Sequence, residues 1–291
     1  MTAALLCGLT MLALGQPPGK TYARPELLIE AAELANSENS KRFRVLDTRS
    51  AKEWDKAHIP QSTPVDVGDW SKKFSKQQDV SAWEKLLGNL GIDVDVPVVV
   101  SGDDVKEMAR VWWILRYWGV KDVRLLNGGW PAWTAGNFMV DKGPYEKPHY
   151  MPTMPKLVPA EKRLSTLDQI KASLKDHALQ LVDARSEGEY CGDTKTAKRS
   201  GAIPGAVNLE WKQMVDAKTK RFKNAGELFE LFKKAGIDLT KPAVTYCQSG
   251  GRSSVMAFAL DLMGGADVRN YYRSWAEWGN AEDTPIVVPM K

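Results

Sequence analysis

The sequence predicts an α/β protein made of two tandem domains of the same fold, each with a parallel β-sheet flanked by helices. Two observations support this prediction. The chain repeats itself at a spacing of about 145 residues, and short apolar runs alternate with helix-like patterns within each repeat. The 291 residues are 43% hydrophobic and 26% charged, which is an ordinary globular composition and enough chain for two separate cores.

Similar segments occur in the same order in both halves of the chain. The pairs are 45–50 (VLDTRS) with 181–186 (LVDARS), 58–60 (HIP) with 202–204 (AIP), 90–92 (LGI) with 235–237 (AGI), and 129–133 (GWPAW) with 274–278 (SWAEW). The two segments of the first pair lie fewer residues apart than those of the later pairs. The later pairs have nearly the same spacing as one another. A duplication with one insertion, at about residues 191–200, explains this pattern.

The apolar runs within each repeat have the length of buried strands. Residues 98–100 (VVV) and 243–246 (AVTY) are examples. Residues 225–235 and 253–263 instead show the spacing of apolar side chains that is typical of helices. Alternating strands and helices predict a parallel sheet in each domain.

A proline-rich segment separates the two repeats. Its prolines are Pro144, Pro148, Pro152, Pro155 and Pro159. Proline removes a helical hydrogen bond and favours extended backbone around it. We therefore expect a linker at 143–162, between an N-terminal domain at 21–142 and a C-terminal domain at 163–291.

The first residues have the character of an export signal. Residues 3–15 are apolar, and residues 13–15 (ALG) place small residues where a signal peptidase prefers them. No positive charge precedes this run, so a mis-set start codon or a stray helix stays an alternative. We expect residues 1–20 to be a leader and the protein to be periplasmic or secreted, and otherwise cytoplasmic. The run is too short to span a bilayer, and no stable membrane insertion is expected.

Charge and cysteine content disfavour several other classes of protein. The 40 basic and 36 acidic residues give a net charge of +4 and are mixed along the chain, without the basic stripe of a nucleic-acid-binding protein. The three cysteines, Cys7, Cys191 and Cys247, are too few for a disulfide framework, and the three histidines show no metal-ligand spacing. We expect no metal, no cofactor and no nucleic-acid partner.

Cys247 is the candidate nucleophile. It follows a predicted strand that ends at Tyr246 and opens residues 247–252 (CQSGGR), which we call the cradle loop. Ser253 and Ser254 then cap a predicted helix. A turn at a helix N-terminus aims backbone N–H groups and the helix dipole at one point, which favours an anionic sulfur. The thiolate is the reactive form of cysteine.

The energy needed to activate Cys247 identifies which groups are important. Lowering the pKa of a cysteine by about two units requires roughly 2.7 kcal/mol of preferential thiolate stabilisation. The helix dipole contributes on the order of 0.3–1 kcal/mol. The loop N–H groups and Arg252 must therefore provide most of the remainder. Gly250 and Gly251 suit the positive φ angles of such a loop.

Each candidate residue also has a structural interpretation. A free cysteine is more often a buried packing residue, but Cys247 stands beside two glycines and an arginine, which a packing cysteine does not need. Arg185 follows a predicted strand at 181–183, where it is either an anion-binding residue or a member of an ion pair. We expect Arg185 to bind an anionic substrate.

The chain resembles the tandem-domain rhodaneses, which comprise thiosulfate and 3-mercaptopyruvate sulfurtransferases. The matching motifs are 54–60 (WDKAHIP) and 201–208 (GAIPGAVN), similar to the family's aromatic-x3-His-Ile-Pro-Gly-Ala segment, and 126–130 (LNGGW) and 271–278 (YYRSWAEW), similar to its Tyr-Asp-Gly-Ser-Trp-x-Glu-Trp end. The similarity extends over residues 21–291. It implies a parallel sheet flanked by helices on both faces in each domain.

The resemblance implies a double-displacement sulfur transfer. The Cys247 thiolate would take a sulfane sulfur from a donor, become a persulfide and pass the sulfur to a thiophilic acceptor such as cyanide or a thiol. The residues implied to stabilise the persulfide are Gln248, Ser249, Gly250, Gly251, Arg252 and Ser253. The residues implied to bind the donor are Arg185, Arg252, Gln248 and Ser249. Residues 101–104 (SGDD) stand at the corresponding place in the first domain and lack a thiol, so that domain is expected to be catalytically inactive.

The cradle loop favours thiosulfate as the donor. Family enzymes that use 3-mercaptopyruvate tend to have Cys-Gly-Ser-Gly-Val-Thr, whereas Cys-x-x-Gly-x-Arg loops are more typical of thiosulfate users. A guanidinium such as that of Arg252 can meet two oxygens of a doubly charged oxyanion. Use of 3-mercaptopyruvate stays the alternative.

Two other functions are alternatives to catalysis of sulfur transfer. Phosphatases of the same fold use a Cys-x5-Arg loop, which is one residue longer than the loop of this chain and therefore fits a phosphate better. A non-enzymatic sulfur carrier or binding module is the other alternative. It is suggested by Tyr272 and Arg273, which replace the family's Asp-Gly and could weaken turnover.

Further departures from the family pattern concern the second domain. Arg273 either makes the site more cationic or points to solvent. Ala202 replaces the histidine that usually precedes Ile-Pro. Glu189 stands where many relatives have a basic residue, which puts substrate binding through the inserted loop in doubt.

Overall fold

The computed structural model describes residues 21–36, 41–76, 78–144, 150–176 and 178–290. The predicted leader at 1–20 lies outside the described residues, and so do Cys7, His149 and His177. Within the described ranges, no helix is long and apolar enough to cross a membrane.

The first domain contains a parallel sheet. Its strands in spatial order are β1 (Leu28–Ile29), β5 (Val123–Leu126), β4 (Val98–Ser101), β2 (Arg44–Asp47) and β3 (Thr63–Pro64). Every neighbouring pair in this order is parallel. The central strand β4 contains the predicted run at 98–100, and these valines are wholly buried, as expected for a parallel sheet covered on both faces.

The second domain repeats this topology. Its strands in spatial order are β7 (Val207–Asn208), β6 (Gln180–Asp183), β8 (Ala243–Tyr246) and β9 (Val268–Asn270), again all parallel. Leu164 forms a parallel bridge with Asn270, at the edge where β1 lies in the first domain. The predicted α/β class and the duplication into two parallel-sheet domains are confirmed.

Helices follow the strands in both domains. In the first they are α1 (Ala31–Ala35), α2 (Ala51–Lys56), α3 (Val67–Lys76), α4 (Val80–Asn89), α5 (Val105–Tyr117) and α6 (Gly129–Ala135), and in the second α7 (Leu167–Ser173), α8 (Glu187–Tyr190), α9 (Ala225–Lys234), α10 (Gly251–Leu262) and α11 (Ser274–Trp278). Helix α8 begins with a capping box, in which Ser186 and Glu189 bond each other's backbone N–H groups. This cap fixes the position of Glu189, which becomes important at the site below.

Helices α5 and α10 join the two domains by packing against each other. Every residue of α10 except Arg252 is buried, because one face of the helix covers its own sheet and the other meets α5. Trp112 of α5 stacks edge-on against Phe258 of α10, with ring centroids 4.8 Å apart. A helix that is apolar all round is stable only when it is enclosed in this way.

The strand register identifies the first-domain counterpart of Cys247. Asp47 lies opposite Ser101, and Asp183 lies opposite Tyr246, so Gly102 occupies the place of Cys247. A Cβ atom at Gly102 would lie 2.0 Å from Oγ1 of Thr48, a distance that real Cβ contacts do not show. The first domain therefore lacks a thiol at this place and also lacks room for one.

The segment between the repeats lies along the first domain. The Thr153 N–H donates to the Gly88 carbonyl at 2.9 Å, and the Ala160 N–H donates to the Tyr117 carbonyl at 2.7 Å. Of the predicted linker at 143–162, residues 150–160 are free of helix and strand, which agrees with their proline content. Residues 161–162 belong to a 3-10 helix at Glu161–Arg163. These bonds fix the linker against the first domain.

Candidate active site

The cradle loop connects β8 to α10. Its first three carbonyl groups accept hydrogen bonds from donors outside the loop. The carbonyl of Cys247 accepts from the Trp275 N–H at 3.0 Å, and that of Gln248 accepts from the Ala276 N–H at 2.9 Å. The carbonyl of Ser249 accepts from Nη1 of Arg110 at 2.9 Å. In a trans peptide the N–H points away from the preceding C=O. The N–H groups of residues 248–250 therefore face the interior of the loop.

The sulfur of Cys247 lies in that interior. Cys247 is 1% exposed, and burial alone raises the pKa of its thiol. The Ser253 hydroxyl, the charge of Arg252 and the backbone N–H groups of Ser253 and Ser249 act in the other direction. Together they outweigh the burial and lower the pKa of the thiol.

Ser274 supports the nucleophile from the start of α11. The Cys247 N–H donates to Oγ of Ser274 at 3.1 Å, and this hydroxyl lies 4.0 Å from the sulfur. The Ser274 hydroxyl also donates to the Tyr271 carbonyl at 2.7 Å. Ser274 has φ +56°, which is unusual for a residue with a side chain and costs on the order of 1–3 kcal/mol. The sequence contains the Ser-Trp motif but gave no sign of this contact.

Arg252 forms a two-point ion pair with Glu189. Nη1 of Arg252 lies 2.5 Å from Oε2 of Glu189, and Nη2 lies 2.8 Å from Oε1. Burial opposes the charge of Glu189, but Arg252 and Ser186 outweigh it and lower the pKa of this carboxyl to about 2. The pKa of Arg252 is raised, because Glu189 and Cys247 outweigh its burial. Both groups are therefore charged at neutral pH.

Gln248 turns towards the inserted segment rather than towards the sulfur. Nε2 of Gln248 donates to the Thr196 carbonyl at 2.9 Å, and Oε1 accepts from the Thr196 hydroxyl at 2.8 Å. Thr196 lies within residues 191–200, the predicted site of the insertion. The side chain of Gln248 therefore fixes the insertion against the cradle loop, while its N–H faces the loop interior.

The two glycines of the loop are needed for different reasons. Gly250 has φ +88° and is the N-cap of α10, as the sequence predicted. Gly251 begins the helix and is not among the residues with positive φ, so the prediction for Gly251 was wrong. A Cβ atom at Gly251 would lie 2.4 Å from Nη2 of Arg110. A side chain at this position would therefore displace the Arg110 guanidinium, which comes from the other domain.

The structure corrects the predicted role of Arg185. Its side chain is 0% exposed, like that of Asp183, which it pairs at 2.6 Å. Nη2 also donates to the Gly201 carbonyl at 2.8 Å. The guanidinium thus connects the end of β6 to the segment before β7 and is not open to a donor anion.

The first domain repeats the Arg185 arrangement. Arg49 pairs with Asp47 at 2.7 Å and donates to the Ala57 carbonyl at 2.9 Å. Arg49 stacks on Trp130 with its Cζ 3.9 Å from the ring centroid, as Arg185 stacks on Trp275 at 4.3 Å. The half that has Gly102 in place of Cys247 thus keeps the same pair, which indicates a role of the pair in the fold.

Tyr272 and Arg273 connect the second domain to the first. The Tyr272 ring is 2% exposed and stacks on Trp113, with centroids 5.2 Å apart. Arg273 pairs with Glu277 at 3.1 Å and donates to the Ser75 carbonyl at 3.1 Å. Arg273 is more than half exposed, but its bond to Ser75 means that it spans the domain boundary. Neither predicted alternative for Arg273 describes this contact.

Ala202 keeps the backbone role of the histidine it replaces. It forms an antiparallel bridge with Val287, as His58 does with Asp141 in the first domain. His58 packs its ring on Trp54, with centroids 3.5 Å apart. The loss of an imidazole at Ala202 therefore leaves the chain path unchanged.

A cleft of about 520 Å³ opens beside the cradle loop, between the domains. Its lining residues are Ser71, Ser75, Lys76, Ser249, Tyr272, Arg273, Ala276 and Glu277. Ser249 is the cradle-loop residue that lines this cleft, and it is exposed to solvent. In the part of the chain that the structure describes, no group of three or more His, Cys, Asp or Glu side chains is arranged to hold a metal ion.

Comparison with known proteins agrees with this fold. The rhodanese-like domain family matches residues 30–136 and 166–281. The chain is 31% identical to a thiosulfate sulfurtransferase of Corynebacterium glutamicum, covering 93% of each chain. It is 34% identical to the sulfur carrier protein TtuD of Thermus thermophilus, covering 91% of this chain and 98% of that one. The chain belongs to the rhodanese family of sulfurtransferases.

A solved structure has the same fold. The anaerobic ergothioneine biosynthesis enzyme from Chlorobium limicola, in complex with trimethyl histidine, superposes with a TM-score of 0.83. The sequence identity is 25%, and the match covers 92% of this chain and 72% of that one. The predicted membership of the rhodanese family and the class of enzyme are confirmed.

We expect Arg185→Ala to lower the free energy of unfolding by about 3–5 kcal/mol, because it leaves the buried Asp183 without its partner. Arg49→Ala is the matched variant and should cost a similar amount. Urea denaturation measures both. A soluble Arg185→Ala protein with parent stability and a raised KM for thiosulfate would restore the substrate-binding role.

Proposed function

We propose that this protein transfers a sulfane sulfur from thiosulfate, through a persulfide on Cys247, to cyanide or another thiophilic acceptor. The observation that carries the proposal is the buried Cys247 thiol, whose pKa is lowered within a loop of inward N–H groups. Such a loop stabilises the negative charge of the Cys247 thiolate. It also stabilises the charge on the outer sulfur after Cys247 has become a persulfide.

The reaction has two displacements on sulfur. The Cys247 thiolate attacks the outer sulfur of thiosulfate, the S–S bond breaks, and sulfite leaves with the bonding electron pair. The acceptor then attacks the outer sulfur of the persulfide, and Cys247 leaves as a thiolate. With cyanide the product is thiocyanate. The net reaction needs no oxidant, reductant or proton source.

Arg252 supports thiosulfate as the donor. Its guanidinium lies beside the sulfur and has more N–H donors than the two that Glu189 occupies. Two relatives that cover most of this chain are named thiosulfate sulfurtransferases, from Corynebacterium glutamicum and Pseudomonas aeruginosa. Sulfite is largely a dianion at neutral pH. A fixed cation beside the leaving sulfite therefore favours cleavage of the S–S bond.

A sulfur carrier is the second candidate function. The relative from Thermus thermophilus bears that name, and Cys247 is 1% exposed, which shields a persulfide from water. A carrier would load sulfur once and release it only to a partner protein. Steady-state formation of thiocyanate from thiosulfate and cyanide distinguishes the enzyme, which turns over, from the carrier.

We expect Cys247→Ser to abolish sulfur transfer without unfolding the protein, because a hydroxyl fits the polar loop but forms no persulfide. Thiocyanate formation measures the transfer, and intact-mass spectrometry of the parent after incubation with thiosulfate should show one added sulfur. Cys191→Ser is the matched control and should load normally. Loading of Cys191 in place of Cys247, or equal activity in Cys247→Ser, would remove Cys247 from the mechanism.

We expect Arg252→Ala to raise the KM for thiosulfate and the pKa of the Cys247 thiol, because it removes a charge-assisted contact worth roughly 1.5–3 kcal/mol. The parent thiol ionises at lower pH than an ordinary cysteine, so the midpoint of its alkylation should move to higher pH in the variant. The double variant Glu189→Gln/Arg252→Gln removes both charges and tests whether an unpaired Glu189 causes the effect. Parent kinetics in both variants would mean that other cations bind the donor.

We expect kcat/KM to be higher for thiosulfate than for 3-mercaptopyruvate, and Arg252→Thr to narrow the difference. The compact dianion gains more from a guanidinium than a monocarboxylate does. Parallel steady-state kinetics on the two donors measure this. Ser249 stands at the loop position of a serine in 3-mercaptopyruvate enzymes, and a preference of the parent for that donor would overturn the choice of thiosulfate.

A further inference from the structure

Arg110 is a residue of the first domain that contacts the cradle loop of the second. Besides the Ser249 carbonyl, its Nη1 lies 3.1 Å from the Tyr272 hydroxyl and 2.9 Å from the Ser71 hydroxyl. The side chain is 12% exposed. A charged group buried to this degree keeps one position because its donors are satisfied there. Arg110 is therefore fixed by groups from both domains.

The bond from Arg110 to Ser249 determines the orientation of one peptide of the loop. It holds the carbonyl of Ser249 outward, so the N–H of Gly250 points inward. The corresponding outward bonds at Cys247 and Gln248 come from α11 of the same domain. The bond at Ser249 instead comes from α5 of the domain that has no nucleophile.

The charged and polar groups around Arg110 come from both domains. On its own helix, Glu107 accepts from Nε at 3.3 Å. From the second domain, the Tyr272 hydroxyl contacts Arg110, and the charge of Cys247 acts on it. The pKa of Arg110 is raised, because Tyr272, Glu107 and Cys247 outweigh its burial. A cation that the thiolate stabilises also stabilises the thiolate.

We propose that Arg110 is a positioning residue for sulfur transfer, through which the first domain holds the cradle loop closed around Cys247. This inference rests on the proposed function of Cys247. It gives the first domain a direct part in the reaction. It also fits Gly251, since a side chain there would displace the guanidinium of Arg110 from its present position.

The test compares the pH dependence of Cys247 alkylation by iodoacetamide, followed by peptide-resolved mass spectrometry, in full-length variants. Arg110→Met keeps an unbranched apolar side chain and removes the charge and the donors of the guanidinium. We expect its alkylation midpoint to rise by half a pH unit or more, which is about a three-fold loss of thiolate at a fixed pH below the midpoint. Thiocyanate formation should show a lowered kcat, with a smaller change in the KM for thiosulfate. Arg110→Lys keeps the charge and should shift the midpoint less.

Arg163→Met is the matched control. Arg163 is 17% exposed, pairs with Asp261 at the far end of α10 at 2.5 Å, and lies over the ring of Trp112 from the first domain. Arg163 therefore connects α10 to the first domain at the end of the helix that is far from the sulfur. The control should lose thermal stability and keep the parent alkylation midpoint.

Two results would overturn the proposal. One is an unchanged midpoint in Arg110→Met together with a lowered melting temperature, which would make Arg110 a contact of the domain interface only. The other is an equal shift in Arg163→Met, which would indicate general loosening of the interface. If Arg110→Met does not fold, Arg110→Leu, which also removes the charge and the donors, takes its place, and an unchanged midpoint in that variant overturns the proposal. Failure of the parent to take sulfur from thiosulfate would count against the proposed function, while the alkylation profiles would still decide the role of Arg110.

Discussion

The carbonyl groups of the cradle loop accept hydrogen bonds from donors outside the loop. The chemistry of the site depends on this constraint. Backbone N–H groups stabilise a buried anion only if they point at it, and in a trans peptide this requires the carbonyls to point away. The N-terminus of α11 holds two of these carbonyls, and Arg110 holds a third. A sulfur that burial alone would keep protonated is therefore favoured as a thiolate.

The charges near the sulfur are balanced rather than simply positive. Arg252 is paired with Glu189, and Arg110 is paired with Glu107. The capping box of α8 fixes Glu189, so the ion pair orients Arg252 as well as reducing its net charge. An arginine held at two points loses little freedom when it binds an anion, and this lowers the entropic cost of donor binding.

The duplication explains which features serve the fold and which serve the reaction. Both domains keep a buried Asp–Arg pair at the end of a corresponding strand, at Asp47 with Arg49 for β2 and at Asp183 with Arg185 for β6. The second domain alone has the thiol, because the first has Gly102 at that position. The first domain contributes α5, which encloses α10 and brings Arg110 to the loop. The pair of domains thus forms one site.

The sequence by itself determined the fold class, the duplication, the family and the position of the cradle loop, because these depend on local patterns: apolar runs, glycines, prolines and repeated segments. It located the β8 strand at 243–246 and assigned the left-handed turn at Gly250 correctly. The tertiary structure alone decided which polar side chains reach the sulfur and which bury themselves in ion pairs. Arg185 and Arg252 both follow the family pattern, but the first is enclosed with Asp183 and the second borders the loop. Arg110 gave no signal at all, because its contact with Ser249 joins residues far apart in the chain and exists only once α5 and α10 have packed.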